Sequence, residues 1–227
     1  MISNSKRPFS RNTRRVREPP PDCGLCPRLH AYRHENRDRF TRYFNAPVPA
    51  FGPQDARLLI VGLAPGLRGA NRTGRPFTGD HAGILLYGTL QKLGLTHGAY
   101  DARADDGLEL IDCAITNAVR CVPPGNRPLP AEVNTCRAFL AATIRSMTNL
   151  RSILALGKIA HDSVCTALCI SKKDHAFAHG AAYALGGVTL VSSYHCSRLN
   201  TNTGVLTKQM FEEVMLRARA AAQADAT

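Results

Sequence analysis

Leu58-Leu59-Ile60-Val61-Gly62-Leu63-Ala64-Pro65-Gly66 opens with four large apolar residues and changes character at a glycine. A run this short, with no polar residue on either face, reads as a strand buried on both sides. The design recurs along the chain: Ser152 to Leu156 runs into Gly157, and Leu108 to Ile115 and Val188 to Ser192 read as two further strands. Between them the apolar spacing becomes helical. Ile84, Leu85, Leu90 and Leu93 fall within Ala82 to Leu93, and Val133, Phe139, Leu140 and Ile144 within Pro130 to Met147. Ile159, Val164 and Leu168 follow Gly157, and Leu206, Met210, Phe211 and Val214 mark a last helix from about Gly204 to Ala220. Strands alternating with helices predict a three-layer α/β/α sandwich with a short, mainly parallel central sheet. Ligands of such folds sit beyond the carboxyl ends of the strands, so chemistry is sought in the segments that follow each strand.

The composition agrees with a folded chain that meets a polyanion. Its 227 residues suffice for one α/β domain, and a hydrophobic fraction of 44% is ordinary for a globular protein. A formal net charge of +12 favours a phosphate-rich partner, although basicity for solubility alone is the plainer alternative. Six cations lie between Lys6 and Arg17, ahead of Pro19-Pro20-Pro21. Residues 1–21 therefore read as a basic arm unable to bury a core, 22–220 as the domain and 221–227 as a fraying tail. There is no apolar stretch long enough for a membrane span or a signal peptide, so a soluble protein of the cytoplasm is expected, and a monomer is the expected state. Eight cysteines are many for a reducing compartment, where metal binding or burial must account for them.

Cys23 and Cys26 form a C-x-x-C before Pro27, and Cys121 and Cys136 flank the segment after the second strand. Four thiolates of this kind can hold zinc or an iron–sulfur cluster. With its ligands so far apart in sequence, the group would staple the N-terminal segment to the domain. Cys113, Cys165, Cys169 and Cys196 read as small buried hydrophobes.

Three strand ends carry unusual segments. After the first comes a glycine-dense loop reaching Gly69-Ala70-Asn71-Arg72-Thr73-Gly74-Arg75-Pro76-Phe77-Thr78-Gly79-Asp80. Its glycines let the backbone approach a ligand, but it has neither the Gly-Lys-Ser/Thr of a P-loop nor the spacing of a dinucleotide loop. Thr116-Asn117-Ala118-Val119-Arg120-Cys121 follows the second strand. Ser193-Tyr194-His195-Cys196-Ser197-Arg198-Leu199-Asn200-Thr201-Asn202-Thr203-Gly204 follows the fourth. Taken singly, Phe77 reads as a core aromatic, Asn117 as a turn residue, Asp80 as a helix N-cap and His195 as one of eight histidines.

Together, GLAPG, GANRTGRPFTGD, TNAVRC and SYH-x-SRLNTNTG resemble, in order, the uracil-DNA glycosylase superfamily, and most closely its iron–sulfur type b branch, family five. The likeness spans Cys23 to the final helix. It implies a DNA-repair enzyme that flips uracil, or another deaminated base such as hypoxanthine, and hydrolyses its N-glycosidic bond. It implies a [4Fe–4S] cluster of structural role on Cys23, Cys26, Cys121 and Cys136. Gly62 and Ala64 would line the base pocket, Phe77 would stack on the base, and the Asn117 amide would meet its Watson–Crick edge. His195 would stabilise charge growing on the base oxygen, while Asp80 would orient water and balance the sugar cation. Leu199 would wedge into the minor groove beside Arg72, Arg198, Asn200 and Asn202 as DNA contacts.

An apolar first motif, Gly62-Leu63-Ala64-Pro65-Gly66, marks the type b branch, puts the water-activating burden on Asp80 and suits a broad base range. Cys196 departs from the branch, which has proline there; this predicts a looser loop and an oxidisable thiol beside the pocket. No lysine stands in these motifs as a Schiff-base nucleophile, so simple hydrolysis to an abasic site is expected. The alternative is an iron–sulfur protein of the same fold that only binds DNA or senses redox state.

Overall fold

The structure is a computed structural model that describes residues 18–224. The first seventeen residues of the expected basic arm and the last three of the expected tail lie outside the described residues. The chain forms α1 (Pro27–Arg39), β1 (Leu58–Gly62), α2 (Ala70–Thr73), α3 (His81–Lys92), β2 (Thr96–His97), β3 (Glu109–Leu110) and β4 (Cys113–Asn117). It continues through a 3-10 turn (Pro124–Asn126), α4 (Pro130–Ser146), β5 (Ser152–Leu156), α5 (Lys158–Ala167), β6 (Ala182–Ala184), β7 (Thr189–Ser193), α6 (Arg198–Asn202) and α7 (Lys208–Gln223).

The central sheet has the order β4-β1-β5-β7-β6, with every pair parallel except β6 against β7. Side-chain alternation explains why β1 carries no polar residue. Leu58 and Ile60 enter a core shared with Leu86 and Leu90 of α3 and Phe211 and Met215 of α7. Leu59 and Val61 enter the opposite core, with Leu140 and Ile144 of α4 and Val164 of α5. A fully buried aliphatic side chain of this kind stabilises by about 1.5–3 kcal/mol relative to exposure. Helices on both faces give the three layers expected.

Several elements differ from the sequence reading. Leu108 to Ile115 is two strands, because Asp112 takes φ 53° and breaks the run. β3 pairs with β2 in a separate hairpin, and β4 joins the main sheet. Asp112 also accepts from the Arg57 backbone N–H at 3.0 Å and from its Nε at 2.8 Å, fixing the entry of β1. α1 was not foreseen: its buried face is Leu29, Arg33 and Asn36, helical in spacing but polar at two of three positions. Ile84 belongs to α3 yet is 65% exposed. α7 starts at Lys208 and runs to Gln223, with Ala222 in the core, so the residues after Ala220 do not fray at once. At the other end Pro19 is buried and Glu18 meets the buried Arg120 at 3.2 Å, so the folded body begins before the boundary expected at residue 22.

Candidate active site and cysteine centre

The parallel strands β1, β4, β5 and β7 all point their carboxyl ends to one edge, which gathers the segments after Gly62, Asn117, Leu156 and Ser193. A cleft of about 700 Å³ opens there, with Ala64, Arg68, Asp80, Asn126, His195 and Arg198 on its walls. Gly62 and Asn117 are register partners between β1 and β4. A Cβ added at Gly62 would fall 2.4 Å from Asn117 Oδ1 and 2.4 Å from Phe77 Cζ, so only glycine lets these side chains converge. Both are buried and neither lines the cleft, Phe77 at 6% and Asn117 at 2% exposed. Asn117 Oδ1 is buried and has no hydrogen-bond partner among the described residues, an acceptor that a ligand donor can satisfy. Phe77 takes φ 54°, and its ring faces that of His195 at 6.0 Å with a 28° tilt.

Asp80 does two things. Oδ1 caps α3 by accepting from the Gly83 N–H at 2.9 Å, the role its sequence position alone suggests. Oδ2 turns to the glycine loop, where a Cβ on Gly69 would lie 2.5 Å away. Burial pushes the His195 pKa below the usual histidine value, against a smaller opposing pull from the Asp80 charge, so the imidazole is neutral near pH 7. Its backbone is held by Asn200, whose Nδ2 donates to the His195 carbonyl at 2.8 Å. Cys196 is fully buried, and burial pushes its thiol up to about 12, so the oxidisable thiol foreseen beside the pocket is a shielded core group.

Residues 198–202, read as a loop, form the short helix α6, capped by Ser197 Oγ accepting from Asn200 N–H at 3.4 Å. Its apex, Leu199, is 71% exposed, and Arg198 stands on the cleft wall. Asn202 faces the neighbouring groove, and Asn200 turns inward. Arg72 lies off the cleft, its Nε donating to the Arg68 carbonyl at 3.0 Å. Arg68, Asn126 and His81 were not singled out from sequence. Arg68 had a signal, a cation inside the glycine loop. His81 ties α3 to α6 through Nε2 and Thr201 Oγ1 at 2.9 Å, a link that sequence alone does not register.

The four expected ligand cysteines come together. Cys23, Cys26, Cys121 and Cys136 line one small apolar pocket with Val119 and Phe139. Cys26 sits at the N-cap of α1, so the helix carries both early thiols to the body. Among the described residues no three such side chains converge as tightly as a single metal ion requires; a multi-iron cluster holds its thiolates further apart. Two buried arginines adjoin the set. Arg33 Nη1 donates to Cys121 Sγ at 3.4 Å, and the Arg120 backbone N–H donates to Cys136 Sγ at 3.3 Å. Arg33 is 1% exposed, and among the described residues no carboxylate forms an ion pair with it. A buried cation needs a compensating anion. As free thiols Cys121 and Cys136 are pushed up by burial to about 12 and about 11, so they are neutral and supply none. Metal-bound thiolates would, and the donor set therefore fits an anionic metal–thiolate group.

Comparison with known proteins places the chain among related sequences. Residues 49–219 match the family model of the uracil DNA glycosylase superfamily. A type-5 uracil-DNA glycosylase of Thermus thermophilus is 45% identical over 203 residues, covering 87% of this chain and 92% of that protein. One of Pyrobaculum aerophilum is 41% identical, covering 88% of each. A type-4 uracil-DNA glycosylase of the latter organism is 38% identical over a shorter stretch, 61% of this chain and 57% of that protein.

Proposed function

The chain belongs to the uracil-DNA glycosylase superfamily, and from that membership we propose that it excises uracil from DNA by hydrolysing the N-glycosidic bond. The products are free base and an abasic site. The observation that carries the reading is the buried Asn117 Oδ1, unpartnered among the described residues, converging with Phe77 on Gly62, with the Phe77 ring facing His195.

The chemistry follows from those groups. A base in a duplex has to leave the stack before protein groups can grip its edge. Asn117 Oδ1 then accepts from uracil N3–H, and its amide donates to O4. Phe77 offers its ring face to the base. As the bond breaks, negative charge grows on the uracil oxygen, and the neutral His195 imidazole donates a hydrogen bond to it. Asp80 keeps Oδ2 free of the α3 cap, where it orients a water and balances positive charge on the sugar. Leu199 fills the space left by the flipped nucleotide, and Arg198, with Arg68, meets phosphate. Asn202 and Arg72 contact the flanking backbone, whereas Asn200 acts through His195.

The apolar Gly62 to Gly66 segment offers few polar groups to reject a misfit base, which supports hypoxanthine and other deaminated bases as further substrates. Cys23, Cys26, Cys121 and Cys136 would hold a [4Fe–4S] cluster, which supplies a structural cross-link. The eight free cysteines suit a reducing cytoplasm, and no helix among the described residues is long and apolar enough to cross a membrane. We take the protein to act as a monomer.

The test is a labelled duplex with one U opposite G, incubated in EDTA, treated with alkali and resolved on a gel. Strand scission that needs alkali and is lost in the Asp80→Ala, His195→Ala double variant is the expected result. Intact strands with U and with hypoxanthine, from protein that still binds DNA, would replace catalysis with binding alone.

A further inference from the structure

The turn that carries Phe77 and Asp80 holds an aromatic residue at φ 54° and Gly79 at φ 89°. Positive φ is unfavourable for a bulky side chain and persists only where the surroundings enforce it. The enforcement comes from a buried ion pair. Arg75 is 4% exposed, and its two Nη atoms donate to the Asp106 carboxylate at 2.8 and 2.7 Å. Its Nε donates to Thr78 Oγ1 at 2.7 Å, inside the turn itself. Phe51, Tyr87 and Tyr100 set their rings 5.1, 5.4 and 5.7 Å from the guanidinium carbon.

Asp106 is the hub of the segment behind. Besides Arg75 it accepts from the backbone N–H groups of Asp101 and Leu108, each at 3.0 Å, so residues 101–108 wrap the carboxylate. These bonds, Arg75 first, hold the carboxyl well below the usual carboxylate range, so it is ionised at any working pH. The tyrosines then grip the turn. Tyr87 Oη donates to the Pro76 carbonyl at 2.7 Å. Tyr100 Oη donates to the Phe77 carbonyl and accepts from the Gly79 N–H, both at 3.3 Å, and its ring stacks on Tyr87 at 4.4 Å. None of these four side chains stands on the wall of the cleft.

We propose that Arg75, Asp106 and Tyr100 are positioning residues for base excision: the ion pair fixes Tyr100, and the Tyr100 hydroxyl fixes the backbone between Phe77 and Asp80. The inference rests on the glycosylase reading above. Tyr100 is the sharpest point, since a single hydroxyl holds backbone groups on both sides of Thr78, just ahead of Asp80. Without it the turn relaxes toward ordinary φ, and Phe77 and Asp80 move together.

The test is single-turnover excision on a U·G duplex by wild type, Tyr100→Phe, Asp106→Asn and Arg75→Lys, alongside duplex affinity and thermal unfolding. Tyr100→Phe keeps the ring stack, and a small misplacement of reacting groups lowers rates by about 10–100-fold. The expected result is a loss of that order in the Tyr100→Phe rate with duplex affinity and unfolding temperature near wild type. Arg75→Lys should be slowed less than Asp106→Asn, because it keeps the buried charge paired. A folded Tyr100→Phe that excises at the wild-type rate would overturn the proposal. So would a rate loss that only tracks lost affinity or lost folded protein. Wild-type inactivity on U, with activity absent on hypoxanthine too, would instead overturn the glycosylase reading.

Discussion

Gly62 stands opposite Asn117 in the β1–β4 register, and no Cβ fits between Gly62 and the Asn117 carboxamide. Gly62→Ala must push Asn117 or Phe77 aside. Overpacking of this kind destabilises by about 1–3 kcal/mol. The larger expected effect is on excision, on the order of 100-fold for groups displaced by about an ångström. Single-turnover kinetics beside thermal unfolding checks this; a folded Gly62→Ala enzyme with wild-type rate would contradict the base pocket.

Leu199 is among the most exposed apolar side chains, at 71%. Removing it should leave stability within about 0.5 kcal/mol, as for other surface changes. Leu199→Ala should nevertheless slow excision from duplex DNA, where a gap must be filled, and spare excision from single-stranded DNA. Equal losses on both substrates would rule out the wedge.

Histidines packed into the body of the domain titrate against the fold. Burial pushes His161, His179 and His195 below the usual histidine value. His161 is fully buried, its Nε2–H donating to the His175 carbonyl at 2.8 Å and its Nδ1 accepting from Ser192 Oγ at 2.7 Å. The unfolded chain binds these protons near pH 6.5 and the native state only at lower pH, so their contribution is present above about 6.5 and lost as pH falls. Urea midpoints should drop from pH 7.5 to 5.5. A midpoint that holds or rises across that interval would contradict the neutral, buried assignment.

Arg33 gives the cysteine centre a signature beyond activity. Its guanidinium donates to Cys121 Sγ and has no ion-pair partner among the described residues. A nearby cation favours the more negative, reduced state of a cluster, so Arg33→Met should lower its midpoint potential or its iron content. Iron analysis and a dye-mediated potential titration read both. Protein of Cys121→Ser that keeps full iron content would remove Cys121 from the ligand set.

The sheet was legible because β1 and β5 are bounded, mainly apolar runs, and a buried parallel strand has no other use for such residues. α1 was not, since Arg33 and Asn36 occupy the positions where periodicity seeks apolar groups. The site divides the same way. Phe77, Asp80, Asn117 and His195 stand at strand ends in a recognisable order. The Arg75–Asp106 pair joins residues 31 positions apart, and local patterning carries no trace of such a contact. The resemblance implies Asn200 as a DNA contact, and the bond from its amide to the His195 carbonyl is a contact that local patterning does not register.

The most direct test of the central claim is chromatographic detection of free uracil from a U·G duplex in EDTA, comparing wild type with Asp80→Asn. Wild type should release one equivalent of uracil and leave an abasic strand that breaks only in alkali. Asp80→Asn should be slower by at least about 100-fold, in line with the loss of a positioned general base. No uracil from wild type, or equal release by both proteins, would contradict the claim.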